Sequence, residues 1–117
     1  MPDTPADTAL ICYCTCPDVT SAERIAEALV NEQLAACVNR LPGIRSTYRW
    51  QGAVITDSEE LMLIKTCTSG FEALRGRLLE LHPYDVPELI AIPVTQGHDA
   101  YREWVRNSVR DHSATAR

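Results

Sequence analysis

From Ile44 to Trp50 the chain alternates strictly: Ile44, Ser46, Tyr48 and Trp50 share one side of an extended backbone, and Arg45, Thr47 and Arg49 share the other. Gln51-Gly52 offers a tight turn, and residues 53–56 followed by ELMLIKT at 60–66 supply a returning strand. Ahead of this run, ACVNRL at 36–41 reads as a strand interrupted by Pro42-Gly43, as a bulge or bend would interrupt it. Ten residues at about 3.4 Å each span roughly 34 Å, close to the whole diameter of a domain with a radius of gyration near 13 Å. A hairpin of that length projects beyond its own core. Its unpaired edge and the apolar Tyr48 and Trp50 invite a second copy of the chain, so Tyr48 and Trp50 are expected interface groups of an oligomer.

The rest of the chain supplies a core for the hairpin to leave. TALICYCTC at 8–16 suits a buried strand ending at Pro17. Thr20 to Glu23 has the spacing of a capping box, and Ala22, Ile25, Ala26, Leu29 and Val30 then recur at helical intervals, which predicts a helix over 19–34. Phe71, Leu74, Leu78 and Leu81 predict a second helix over 69–82, with Ser69 as its cap and Pro83 as its stop. HPYDVPE at 82–88 is a stiff loop, LIAIPV at 89–94 a short strand, and Tyr101, Trp104, Val105 and Ser108 share the face of a third helix ending near Arg110, with Trp104 in the core. The order βαββαβ plus a final helix is an α+β, ferredoxin-like plan: an antiparallel sheet with helices on one face. The 117 residues then divide into one domain, 8–110, and polar, aperiodic ends at 1–7 and 111–117 expected to be disordered.

With 16 acidic and 11 basic residues the net charge is −5, which argues against nucleic acid or an anionic membrane as partner. No window is long and apolar enough to span a bilayer, and the N-terminus lacks the pattern of a signal peptide. Five cysteines without CxxC pairs read as reduced thiols, and the expected compartment is the cytoplasm.

Cys12, Cys14 and Cys16 fall on one face of the first strand. Residues two apart on a strand are about 6.6 to 6.8 Å apart, too far for a disulfide, and joint chelation of one metal needs side-chain tilt or a bulge. Cys12 and Cys16 are read as small buried hydrophobes. His82 either caps its helix or ligates a metal, and thiolate with imidazole favours copper or zinc over magnesium or calcium. A Cys37 nucleophile with His82 as base is conceivable, but no nucleophile elbow, phosphate loop or HExxH helix is present, so no enzyme is expected. Lys65, the single lysine, guards a strand edge or contacts an anion.

Taken together, TCPD at 15–18, LAACVN at 34–39, PGIRSTYRWQG at 42–52, LMLIKT at 61–66, HPYDVPE at 82–88 and IPVTQG at 92–97 resemble the CutA family of divalent-cation tolerance proteins. The resemblance runs in order through almost the whole domain. It implies a ferredoxin-like subunit in a compact homotrimer of PII-like architecture, a role in tolerance of divalent metals, and copper binding without turnover, with zinc as the other candidate ion. By position it makes Cys14 and His82 the metal ligands. Some members carry a second histidine where this chain has Leu81, a departure that removes a donor. Two other readings follow from the same resemblance. One is a PII-like signalling module binding a small anionic ligand in intersubunit clefts, for which Arg49, Lys65, Tyr84 and Glu88 are the candidate residues. The other is a trimeric scaffold.

Overall fold

The computed structural model describes residues 7–110; residues 1–6 and 111–117, most of the two ends expected to be disordered, lie outside the described residues. The elements are β1 (Ala9–Cys16), α1 (Val19–Asn31), β2 (Cys37–Trp50), β3 (Ala53–Cys67), α2 (Thr68–Leu81), β4 (Ile90–Pro93) and α3 (Asp99–Ser108). The four strands form one antiparallel sheet in the order β2-β3-β1-β4. Each βα crossover returns the chain to the same face, which gives the α+β, ferredoxin-like plan.

Alternation along β1 decides which side is inside. Leu10, Cys12, Cys14 and Cys16 face α1 and α2 and join Ile25, Leu29, Met62, Ile64, Leu74 and Leu78 in the core. Cross-strand neighbours have matching parity: Cys12 opposes Ile64, Cys14 opposes Met62 and Cys16 opposes Glu60. Odd-numbered β1 residues face the other way, Tyr13 beside Leu63 and Ile90, and Ile11 beside Lys65 and Ile92.

The hairpin forms as its sequence dictates. Gln51 and Gly52 have φ of 49° and 83°, the left-handed pair that a two-residue turn between twisted strands requires, and they bring Trp50 opposite Ala53. Pro42 and Gly43 form a bulge, for the pairing shifts between Leu41 and Ile44, and Gly43 has φ 73°. β1 pairs with β3 only from Glu60 onward, so Ile44–Glu59 is a two-stranded arm without a third strand. The arm stretches the molecule to 51 × 31 × 24 Å with a radius of gyration of 15.4 Å.

Helix boundaries differ from the sequence expectations at their caps. Asp18, not Thr20, caps α1, its carboxylate accepting from the Ser21 N–H at 2.8 Å; Thr20 lies within the helix. α1 ends at Asn31 rather than 34, where Gln33 turns left-handed (φ 60°) and the Leu34 and Ala35 N–H groups return to the Leu29 carbonyl. Ser69 does not cap α2. Asp7 does so from across the chain, accepting from the Ser69 N–H at 2.8 Å, the Ser69 hydroxyl at 2.7 Å and the Thr68 hydroxyl at 2.6 Å. Trp104 is not in the core: it is 48% exposed and stacks on Tyr101, while Val105 is the buried residue of α3.

Candidate metal centre

Two chain segments meet at the end of β1. The strand supplies Cys14 and Cys16, both fully buried, and the first residue after α2 supplies His82, 7% exposed. The tight contact is possible because α2 stops there. His82 takes an extended backbone (φ −75°, ψ 137°), its N–H closes the last turn on the Leu78 carbonyl, and Pro83 prevents continuation. The imidazole does not cap α2; Arg24 reaches over from α1 to bond the Leu81 carbonyl at 2.8 Å.

The ring turns inward instead. Its Nδ1 accepts the Tyr84 N–H at 3.1 Å, so the proton of the neutral ring resides on Nε2, which donates to the Thr15 carbonyl at 2.8 Å. Nε2 is also 3.6 Å from the Cys16 sulfur. Tyr84 covers the ring, centroids 4.9 Å apart, and its hydroxyl donates to Glu59 at 2.7 Å. Burial, and then the Glu59 carboxylate, push the Tyr84 phenol above its ordinary range.

The donor atoms of Cys14, Cys16 and His82 all lie within 4.8 Å of one another. The cysteine side chains thus tilt towards each other, which the ideal strand spacing does not anticipate. Proton sharing between the two thiols, together with burial, raises the Cys14 pKa. The same sharing lowers that of Cys16, against burial and the negative charges of Asp18, Glu59 and Glu60. Cys12 sits apart, its thiol pushed up to about 11 by burial alone.

These residues fit a soft metal ion. Bonds of about 2.3 Å to sulfur and 2.0–2.1 Å to nitrogen, at an angle near 110–120°, separate the two donors by roughly 3.6–3.8 Å. The Cys16–His82 separation of 3.6 Å falls in that range. Carboxylates around the thiols, Asp18, Glu59 and Glu60 near Cys16 and Glu88 near Cys14, give the site a field that attracts cations.

The other sequence candidates are dispersed. Cys37 pairs with Lys65 on the sheet face opposite His82, so the imagined Cys37–His82 nucleophile and base are separated by the sheet. The Lys65 amine bonds the Asn39 side chain and lies 3.9 Å from the Cys37 sulfur. Arg49 pairs with Val54 near the hairpin tip, eleven residues along β3 from Lys65, or about 37 Å at 3.4 Å per residue, so one chain does not bring these two cations together. Glu88 is exposed in the loop before β4, and Tyr84 alone of this group touches the centre. On the arm, Tyr48 and Trp50 are 42% and 59% exposed, with the Tyr48 hydroxyl donating to Asp57 at 2.6 Å.

Residues 10–108 match the family model described as CutA1 divalent ion tolerance protein. The chain belongs to the CutA1 divalent ion tolerance family. It is 50% identical over 94 residues to the divalent-cation tolerance protein CutA of Thermus thermophilus, covering 80% of this chain and 91% of that one. It is 48% identical over 103 residues to the chloroplastic CutA of Arabidopsis thaliana, covering 88% of this chain but only 57% of that longer protein. Among solved structures, CutA of Xylella fastidiosa superposes with a TM-score of 0.86 at 46% identity, covering 88% of this chain and 99% of that one. A CutA from Archaeoglobus fulgidus, described as periplasmic, superposes at 0.83 with 34% identity, covering 87% and 99%. CutA relatives thus carry the names of different compartments. Among the described residues no helix is long and apolar enough to cross a membrane. Both the family and the Thermus relative are named for divalent-ion tolerance rather than for a reaction.

Proposed function

We propose that this protein serves divalent-metal tolerance in the cytoplasm as a homotrimer that binds copper through Cys14 and His82, without turnover. The observation that carries the reading is the convergence of buried thiol and imidazole donors within 4.8 Å, with carboxylates close enough to act on both thiols. Thiolate sulfur and imidazole nitrogen are soft and borderline donors suited to copper or zinc, and the negative surroundings oppose an anionic ligand at this place. The anion-binding reading is weaker, because Arg49 and Lys65 stand at opposite ends of the hairpin.

Assembly is supported by the uncovered sheet face. Tyr13, Leu41, Ile90 and Ile92 are 37–52% exposed there, beside Ile11, Leu61 and Leu63, and isolated chains seldom leave so continuous an apolar surface in water. Anaerobic copper titration of the reduced protein tests the metal reading, beside Cys14→Ala and His82→Ala with their mass checked by light scattering. Stoichiometric binding that disappears in both assembled variants is the expected result. Binding that is absent, or identical in all three proteins, overturns the ligand assignment.

A further inference from the structure

We propose that Cys16 is a direct metal ligand, so that Cys14, Cys16 and His82 together hold a closed-shell thiophilic cation, copper(I) or zinc(II), between two thiolates and one imidazole. The proposal rests on the metal reading above and extends it to a third donor.

A single thiolate and a single imidazole satisfy at most a linear copper(I) ion and leave zinc(II) two donors short of its usual four. The position beside His82 holds Leu81, whose side chain packs against the core and offers no donor. Cys16 is the residue that fills the gap. Its sulfur lies 3.6 Å from the imidazole Nε2, and both side chains are buried. Pro17 ends the strand and Asp18 begins α1 immediately beyond it, so its backbone is fixed on both sides. A purely hydrophobic role for Cys16 does not account for a polar ring nitrogen against its sulfur.

The donor set also selects the ion. Two thiolates favour soft ions over magnesium, calcium or manganese, which prefer oxygen. On binding, Cys14 and Cys16 each give up a thiol proton to solvent. Two thiolates and a neutral imidazole then leave a copper(I) site with one net negative charge and a zinc(II) site neutral. His82 must free Nε2 from the Thr15 carbonyl, its proton moving to Nδ1.

X-ray absorption spectroscopy on the full chain, loaded anaerobically with one equivalent of copper(I) or, separately, zinc(II), counts the donors directly. The expected first shell has two sulfurs at about 2.3 Å and one nitrogen near 2.0 Å. A further nitrogen or oxygen in the zinc arm marks the four-coordinate ion, and the arm with the tighter competition against a chelator identifies the favoured one. Cys16→Ser, with its fold checked by circular dichroism, should show one sulfur and an affinity reduced by more than the roughly 10- to 100-fold that follows loss of an outer partner. A sulfur count and affinity left unchanged by Cys16→Ser, with loss in Cys14→Ser, overturn the proposal while leaving the metal reading intact. No binding by the unmutated chain overturns both. Should Cys16→Ser not fold, the unmutated chain decides: a single sulfur overturns the proposal.

Discussion

At the scale of single residues, the position of one proton on His82 links the centre to its surroundings. The Tyr84 N–H needs Nδ1 as its acceptor, and the Thr15 carbonyl needs a proton on Nε2. Coordination through Nε2 reverses both demands, because a neutral imidazole carries only one N–H. Nitrogen-15 NMR of the ion-free protein should therefore report the Nε2–H tautomer, and copper(I) loading should convert it to Nδ1–H and accelerate hydrogen exchange at the Tyr84 amide. An unchanged tautomer on loading would show that Nε2 is not a donor.

Asp7 presents the same logic without a metal. Burial, the largest single influence, raises its carboxyl pKa. The hydrogen bonds from Thr68, Ser69 and Cys67 side chains and the Ser69 N–H outweigh it, and the net value is lowered from 3.8. A carboxyl lowered in the folded state stabilises the fold above its unfolded pKa, and that contribution is lost as pH falls through the folded pKa. Asp7→Ala should cost about 0.5–2 kcal/mol at neutral pH, as loss of a helix cap does. The gap between variant and parent in denaturant melts should close as acid protonates Asp7. Neither Asp7 nor Cys16 was legible in the sequence, and for physical reasons. Asp7 acts on a residue 62 positions away and Cys16 meets one 66 positions away, juxtapositions made only by the fold; the strand spacing shows that chelation with Cys14 needs tilt, not that the tilt occurs. Cys14 and His82 were legible as candidates because residue type and family motif single them out.

At the scale of elements, the hairpin was the most legible part of the molecule, since period-two alternation and a Gln-Gly turn are local signals. Helix ends and the third helix were less so. The stripe Tyr101, Trp104, Val105, Ser108 is helical, yet only Val105 is buried, because periodicity gives the face of a helix and not how much of that face the sheet reaches. The arm depends on its turn more than most hairpins do. Ile44–Glu59 has no third strand behind it, and an isolated two-stranded ribbon is marginal in water. Gly52, at φ 83°, should resist replacement: Gly52→Ala places a side chain in the left-handed region at about 1–2 kcal/mol. Amide exchange in Ile44–Glu59 should rise in this variant, with exchange in β1 unchanged. Equal loosening of both regions would mean that the turn supports the whole sheet rather than the arm alone.

At the scale of the whole molecule, two separate features point to the same conclusion. The arm lacks a strand partner, and the sheet lacks a layer over Tyr13, Leu41, Ile90 and Ile92. Each is costly in a single chain, and the proposed association of copies is the arrangement that would remove both costs at once. The open face is the better point to test, because a charge there meets no core of its own subunit. Ile92 is 46% exposed and opposes Ile11 across the sheet, so Ile92→Glu should leave the subunit folded and oppose only association. Burying a carboxylate without a partner disfavours the assembled state by several kcal/mol per copy. Light scattering should then show the unmutated chain as a trimer and Ile92→Glu as a monomer with the same helical circular dichroism. Because an assembled chain draws stability from association, the melting temperature of the unmutated protein should rise with concentration while that of Ile92→Glu does not. A variant that remains trimeric would place the contact on the arm, and truncating Trp50 to alanine would then be the change that separates the copies.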